Sequence, residues 1–217
     1  MPRIWITAEQ MRTTAPTVDL PAGSTAFING GSETLLWGHV YQAGPEARRQ
    51  AADEFAATAI AAARIAAPPG SAPGHRVAVL GDGMLAHLIR AALAAESLSA
   101  VPVAAPAAAA GRERVIIDST GSVSVLSEII RTLPRLGRLV LAAPPCSPEI
   151  TLATYRDIHV RGLALIGVPW AGGALASVSG GVSPELIEAV LAEAARARPG
   201  EPTAGRPLYV LDGEISP

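Results

Sequence analysis

The run RVAVLGDGMLAHLIRAALAAE, at residues 76–96, constrains the fold of this chain more than any other feature. It begins with a short, continuously apolar segment, passes through a glycine turn and continues as an apolar, Ala-rich stretch of helical length. A buried strand joined by a tight turn to a helix is the repeating unit of parallel sheets that helices cover on both faces. The run therefore predicts an α/β fold.

The chain beyond this run continues the same alternation of strands and helices. The predicted helices are SVSVLSEIIRTLPRLG and SPELIEAVLAEAARARPG. The predicted strands are SAVPVAAP, RVIIDSTG, GRLVLAAPP, IHVRGLALIGVPW and RPLYVLDG. We therefore expect a reduced Rossmann-like parallel sheet over residues 75–217, with helices on both faces.

The first 70 residues have a different pattern. Residues 1–42 contain three short β-like runs, so we expect a β-rich N-terminal segment. Pro45 then begins a predicted Ala-rich helix, since proline is favoured at the first helical position. The stretch PPGSAPG at 68–74 is typical of a linker and marks the predicted boundary between 1–70 and the following domain.

The glycine turn matches the G-x-G-x-x-G/A pattern that binds dinucleotide phosphates between a strand and a helix. Gly81 would allow the tight turn, Gly83 would let the backbone approach a pyrophosphate, and Ala86 would allow close packing of the helix on the strand. The predicted phosphate contacts are Gly81, Asp82, Gly83, Met84 and Leu85. Similar turns also occur in α/β proteins that bind nothing there.

The pattern lacks the acidic residue that a site for NAD carries about 20 residues further on. That region is SAVPVAAPAAAAG, and the next charged residues are Arg112, Glu113 and Arg114. Either Arg112 or Arg114 meets the 2′-phosphate of NADP, or both are solvated loop arginines and the ribose contacts come from elsewhere, or the site is degenerate. NADP is thus slightly favoured over NAD.

From Arg76 to Trp170 the chain resembles the cofactor domain of the medium-chain dehydrogenases/reductases. The matching segments, in the family's order, are VAVLGDGMLA, VIIDSTGS, LPRLGRLVLAAPP and VRGLALIGVP. The resemblance implies a cofactor site that also includes Ser119, Thr120, Gly121, Ala142, Ala143 and Pro144. It further implies a homodimer joined through sheet edges, and IHVRGLALIGVPW is the expected edge strand.

The chain departs from that family in its first domain. Residues 1–70 are too short for the family's GroES-like catalytic domain and resemble a remnant of it. The family's zinc ligands are not identifiable, so we expect a truncated, zinc-independent member that holds no metal.

Composition excludes several other kinds of chemistry. The chain has no lysine, which rules out Schiff-base and P-loop lysines, and its single cysteine, Cys146, cannot form an internal disulfide. A net charge of −2 predicts no nucleic-acid or membrane partner. No signal peptide is visible, so we expect a cytoplasmic protein.

Three side chains are candidates for a catalytic acid or base: Tyr41, His39 and Tyr155. The favoured function is an NAD(P)H-dependent oxidoreductase that reduces a C=N, C=C or carbonyl group of a small molecule. Two alternatives stay open: a non-catalytic module that binds a partner, and a cofactor-independent cyclase or isomerase.

Overall fold

A computed structural model describes residues 3–7, 20–29, 35–68, 71–72, 75–103, 112–144, 146, 149–169 and 208–212. The elements are, in chain order, β1 (Arg3–Thr7), β2 (Ser24–Asn29), β3 (Leu35–Gln42), α1 (Pro45–Ala66), β4 (Arg76–Leu80), α2 (Met84–Ala95), β5 (Ser99–Val103), β6 (Val115–Asp118), α3 (Val123–Thr132), β7 (Arg138–Leu141), a π-helical turn (Tyr155–His159), β8 (Ala164–Gly167) and β9 (Leu208–Asp212).

Five of the strands form a parallel sheet in the order β5-β4-β6-β7-β8. Since β5 lies on one side of β4 and β6 on the other, the order reverses between β4 and β6. Such a topological switch point opens a crevice at the carboxyl ends of the two strands, where α/β proteins bind ligands.

Helices cover both faces of this sheet, which confirms the predicted α/β fold. On one face α1 and α2 pack together over Val77, Val79 and Ile117. On the other face α3 packs Leu126 and Ile129 against strand side chains that include Leu80, Ile116 and Leu139. Because both faces are buried, the strands are nearly continuously apolar.

The remaining strands form an antiparallel sheet in the order β1-β3-β2-β9. The β-rich character of the N-terminal segment is thus confirmed. The pairing of β9, near the C-terminus, with β2 was not predicted. It joins the two ends of the sequence in one sheet.

Helix α1 begins at Pro45, as predicted, and has Glu46 in its first turn, where a negative charge is favoured by the helix dipole. Its buried face consists largely of alanines, among them Ala59, Ala62 and Ala63. Small side chains let α1 approach α2 and the sheet closely.

The predicted strand IHVRGLALIGVPW is shorter in the structure than expected. In IHVRGLALIGVPW only Ala164–Gly167 is a strand, because Val160 N–H donates to Tyr155 O and Gly162 N–H donates to His159 O. These local bonds close a turn ahead of β8. The predicted helix at 183–200 and Trp170 lie outside the described residues.

Candidate functional site

The carboxyl ends of β4, β6 and β7 form the edge at which the predicted cofactor residues other than Arg112 meet. Ser119 N–H donates to Leu80 O at 3.2 Å, and Ala142 N–H donates to Asp118 O at 2.9 Å. The glycine turn after β4 and the loops after β6 and β7 are therefore neighbours, as the sequence predicted for this edge.

Two glycines of this edge have backbone conformations that other residues adopt poorly. Gly81 has φ +107°, and a Cβ there would overlap Ser119 Oγ. Gly121 has φ +68°, and a Cβ there would overlap the carbonyl oxygen of Pro144. Glycine is needed at both positions because the loops lie in direct contact with one another.

Asp118 organises the loop after β6. Its carboxylate accepts hydrogen bonds from Thr120 N–H at 3.0 Å, Thr120 Oγ1 at 2.7 Å and Gly121 N–H at 3.2 Å. Complete burial raises the pKa of Asp118, and these three donors oppose that rise. The side chain thus caps a turn, which is a structural role.

Asn29, the last residue of β2, lies in the crevice at the switch point. Its Oδ1 accepts a hydrogen bond from Leu85 N–H at 2.9 Å, and its Nδ2 donates to Ser119 O at 3.5 Å. The Leu85 amide belongs to the first turn of α2, so its N–H has no acceptor within the helix. Such free N–H groups are what a helix N-terminus offers to phosphate oxygens. A side-chain amide oxygen therefore stands where a phosphate oxygen would bind.

Trp37 covers the same edge from β3, where it pairs opposite Asn29. Its Nε1–H donates to Ser119 O at 3.3 Å, and its ring stacks on Phe55 of α1, with ring centroids 5.6 Å apart. The Trp37 side chain is fully buried. It serves as core packing, the role we expect of most buried tryptophans.

These contacts decide how well the crevice suits a dinucleotide. The helix N-terminus and the glycine turn are groups that bind pyrophosphate, but Asn29 already bonds the Leu85 amide. Ser119 and Thr120, predicted to contact the cofactor, are only 1% and 3% exposed. The described conformation therefore does not fit a dinucleotide until the Asn29 side chain leaves the crevice.

A second group of polar side chains lies on the outer side of the glycine turn. Arg90 of α2 donates from Nη1 to Gly81 O at 3.2 Å, and its Nη2 lies 3.2 Å from His87 Nδ1. Burial, together with the charge of Arg90, lowers the pKa of His87. Arg90 is thus a cation beside the turn.

Arg112 lies away from this turn. It precedes β6, and the next residue, Glu113, pairs with Arg76 at the start of β4, with Nη2 and Oε1 2.7 Å apart. Both arginines are therefore at the amino ends of parallel strands. Gly81 is at the carboxyl ends, so the structure does not bring Arg112 to the other predicted cofactor residues.

The three candidate catalytic residues are not brought together either. His39 and Tyr41 are buried on β3, and Tyr41 Oη donates to Glu54 Oε2 at 2.7 Å. Burial and this bond raise the pKa of Tyr41. Tyr155 is exposed in the π-helical turn, which leads into the amino end of β8.

The remaining predicted residues hold the edge together. Ala142 and Ala143 both donate their N–H groups to Asp118 O, while Cys146 N–H donates to Gly121 O at 2.8 Å. Pro144 is buried, and Met84 begins α2 with a half-buried side chain.

Sequence reasoning missed Asn29 and Trp37 as residues of this edge. Asn29 begins the polar, Gly-rich stretch NGGS, which predicts only a turn. The bond from Leu85 to Asn29 joins positions 56 residues apart. No local pattern in the sequence indicates such a contact.

Two further observations concern the described residues alone. They contain no group of three or more His, Cys, Asp or Glu side chains placed to hold a metal ion. None of their helices has the length and apolar character needed to cross a membrane.

No protein-family model matches the sequence, and the search of curated proteins gives no match. The fold is similar to that of D-arabinose dehydrogenase from Sulfolobus solfataricus, with a TM-score of 0.51 and 16% identity over 83% of this chain and 64% of that one. 2R,3R-butanediol dehydrogenase from Bacillus subtilis matches with a TM-score of 0.44 and 16% identity, over 83% of this chain and 63% of that one.

Glucose dehydrogenase from Haloferax mediterranei, in a complex with NADP, zinc and gluconolactone, matches with a TM-score of 0.40 and 15% identity, over 76% of this chain and 54% of that one. In each case the match spans less than two thirds of the dehydrogenase. The fold of this chain is thus similar to that of D-arabinose dehydrogenase over part of that protein's length.

Proposed function

We propose that this protein is a zinc-independent, NAD(P)-dependent oxidoreductase that acts on a C=N, C=C or carbonyl group of a small molecule. The observation that carries the proposal is the Leu85 amide, which points from a helix N-terminus into the switch-point crevice and already binds an oxygen acceptor. A bound nicotinamide would supply or accept the hydride.

In the described conformation the Asn29 side chain closes the switch-point crevice. Its side chain bridges the two loops that a pyrophosphate would lie between, the turn before α2 and the loop after β6. Dinucleotide binding then requires the Asn29 side chain to turn away. A hydrogen bond from Leu85 N–H to a phosphate oxygen then replaces the lost bond from Leu85 N–H to Asn29 Oδ1.

We propose that a residue other than Arg112 or Arg114 favours NADP over NAD. Arg112 lies at the amino ends of the strands, whereas Arg90 lies beside the turn and bonds Gly81 O. We propose that Arg90 contacts the extra phosphate of NADP, since guanidinium groups bind phosphate in bidentate fashion.

The test is calorimetric titration of NADPH and NADH into the wild type, Asn29→Ala and Asn29→Asp. Asn29→Ala should bind NADPH about fivefold more tightly than the wild type, because a competing hydrogen bond of about 1 kcal/mol is removed. Asn29→Asp should bind more weakly than the wild type, because it keeps an acceptor for Leu85 and adds a negative charge near the phosphates.

Gly83→Val is the control for the position of the site and should abolish binding in the Asn29→Ala background. Circular dichroism must show that every variant stays folded. Equal affinity of all variants for NADPH would place the dinucleotide elsewhere on the protein.

A second candidate function is a cofactor-independent module, either a binding protein or a cyclase or isomerase. The burial of Ser119 and Thr120 favours it, and so does the bond from Trp37 Nε1–H to Ser119 O, since this edge is already packed. Failure of both the wild type and Asn29→Ala to bind any nicotinamide dinucleotide would favour this candidate.

We also propose that the protein is a homodimer joined through β8, which among the described strands pairs with β7 alone. Ala164 and Val168 direct their N–H groups to β7, so by the two-residue period Gly167 directs its N–H away from it. Sedimentation should show a dimer for the wild type and a monomer for Gly167→Pro, which removes an edge donor. A monomeric wild type would contradict this.

A further inference from the structure

The exposed large apolar side chains of the described residues belong to two segments that backbone hydrogen bonds join. They are Leu136, Tyr155 and Val160, whose exposed fractions are 73%, 72% and 43%. Leu136 N–H donates to Arg161 O, and Val160 N–H donates to Tyr155 O, both at 2.9 Å. We call these three side chains the Leu136 patch. Single exposed apolar residues are ordinary, but several on neighbouring segments are typical of an interaction surface.

Leu136 is also strained. It has φ +60° in the turn between α3 and β7, a left-handed conformation that is unfavourable for a bulky side chain. Its side chain points to solvent, so burial does not offset the strain. Folding alone would favour glycine at this position, and the leucine therefore calls for another explanation.

Arginines border the Leu136 patch on one side. Arg131, Arg156 and Arg161 line a surface cavity of about 600 Å³ together with Asp157. Arg156 Nε donates to Asp157 Oδ1 at 2.7 Å, and this bond lowers the pKa of that carboxyl. One carboxylate thus faces three guanidinium groups, and the cavity keeps a positive charge.

Aromatic and aliphatic groups line a second cavity at this surface, and Tyr155 of the patch is one of them. A cleft of about 620 Å³ is lined by residues that include Tyr155, Ile158, His159 and Leu163. Tyr155 stacks on His159 with ring centroids 5.4 Å apart. The turn that carries Tyr155 therefore separates an apolar cleft from a cationic cavity.

We propose that the Leu136 patch is a docking surface for a partner protein whose contact segment places acidic side chains around an apolar one. The apolar side chain would pack on Leu136 and Tyr155, while the carboxylates would bind Arg131, Arg156 and Arg161. The surface lies at the amino ends of β7 and β8. It is therefore at the opposite edge of the sheet from the crevice that holds Asn29, and the proposal is independent of the dinucleotide site.

The probe is a fluorescein-labelled synthetic helical peptide with a leucine stripe flanked by glutamates, measured by fluorescence anisotropy on the full chain. A matched peptide with glutamine for every glutamate should bind at least about tenfold more weakly. Leu136→Gly should reduce affinity for the acidic peptide by about tenfold and raise the melting temperature, because strain is relieved. Arg156→Gln should reduce affinity about threefold or more.

Arg49→Gln is the matched control, since Arg49 is an exposed arginine on α1, outside the surface. It should leave the affinity for the acidic peptide unchanged. Rescue of the loss in Leu136→Gly by Leu136→Met would show that an apolar side chain is what the peptide contacts.

Several outcomes would overturn the proposal. They are absence of binding at millimolar acidic peptide, equal binding of the glutamine peptide, and an unchanged or lowered melting temperature in Leu136→Gly. Binding of vesicles of phosphatidylglycerol and phosphatidylcholine without binding of the peptide would assign the surface to a membrane. A change of sedimentation in Leu136→Gly would assign it to a second copy of this chain.

Discussion

At the scale of single residues, Asn29 determines how the candidate site is interpreted. A carboxamide has both an acceptor and donors, so one side chain can bond the Leu85 amide and the Ser119 carbonyl on opposite sides of a crevice. The sequence predicted the turn and the helix that supply Leu85. It could not predict Asn29 as their partner, because that contact depends on how two sheets pack.

Gly121 allows a test of how tightly this edge is packed. Gly121→Ala places a Cβ against the Pro144 carbonyl at a residue whose backbone is left-handed. We therefore expect the free energy of unfolding to fall by about 2–4 kcal/mol. Gly23→Ala is the matched control, since Gly23 has a similar φ of +71° but a Cβ there meets no atom within 4 Å. Urea unfolding measures both. Similar stability of the two variants would contradict the described packing of the loops.

At the scale of elements, the short strands β2 and β3 contact the edge of the parallel sheet that holds the candidate site. The face of β3 that carries Trp37, His39 and Tyr41 is buried, and it contacts α1 through Phe55 and Glu54. The sequence predicted strands in this segment and a helix after it. Alternation predicts which side chains share a face, but it does not say what that face packs against.

Local sequence pattern also failed to predict the length of β8. The apolar run from Ile158 predicts a strand, because local patterns favour extended structure wherever β-branched and aliphatic residues follow one another. Hydrogen bonds within the segment, such as that from Val160 N–H to Tyr155 O, instead close a turn. That turn carries Tyr155, which the sequence had suggested as a catalytic residue, to the amino edge of the sheet.

At the scale of the whole molecule, the parallel sheet could be predicted because each strand–helix unit is local in sequence. The strand, glycine turn and helix at 76–96 lie where the sequence placed them. The pairing of β9 with β2 depends on contacts between distant parts of the chain, and no periodicity indicates it. Packing between the two sheets is likewise a long-range property, and it determines whether the crevice is open.

The most direct test of this account is the amide resonance of Leu85 in a ¹⁵N-labelled sample, followed during titration with NADPH. We predict that this resonance shifts as the partner of Leu85 changes from Asn29 to phosphate, and that the side-chain amide of Asn29 shifts with it. Movement of resonances elsewhere, with those of Leu85 and Asn29 unchanged, would contradict a dinucleotide site closed by Asn29.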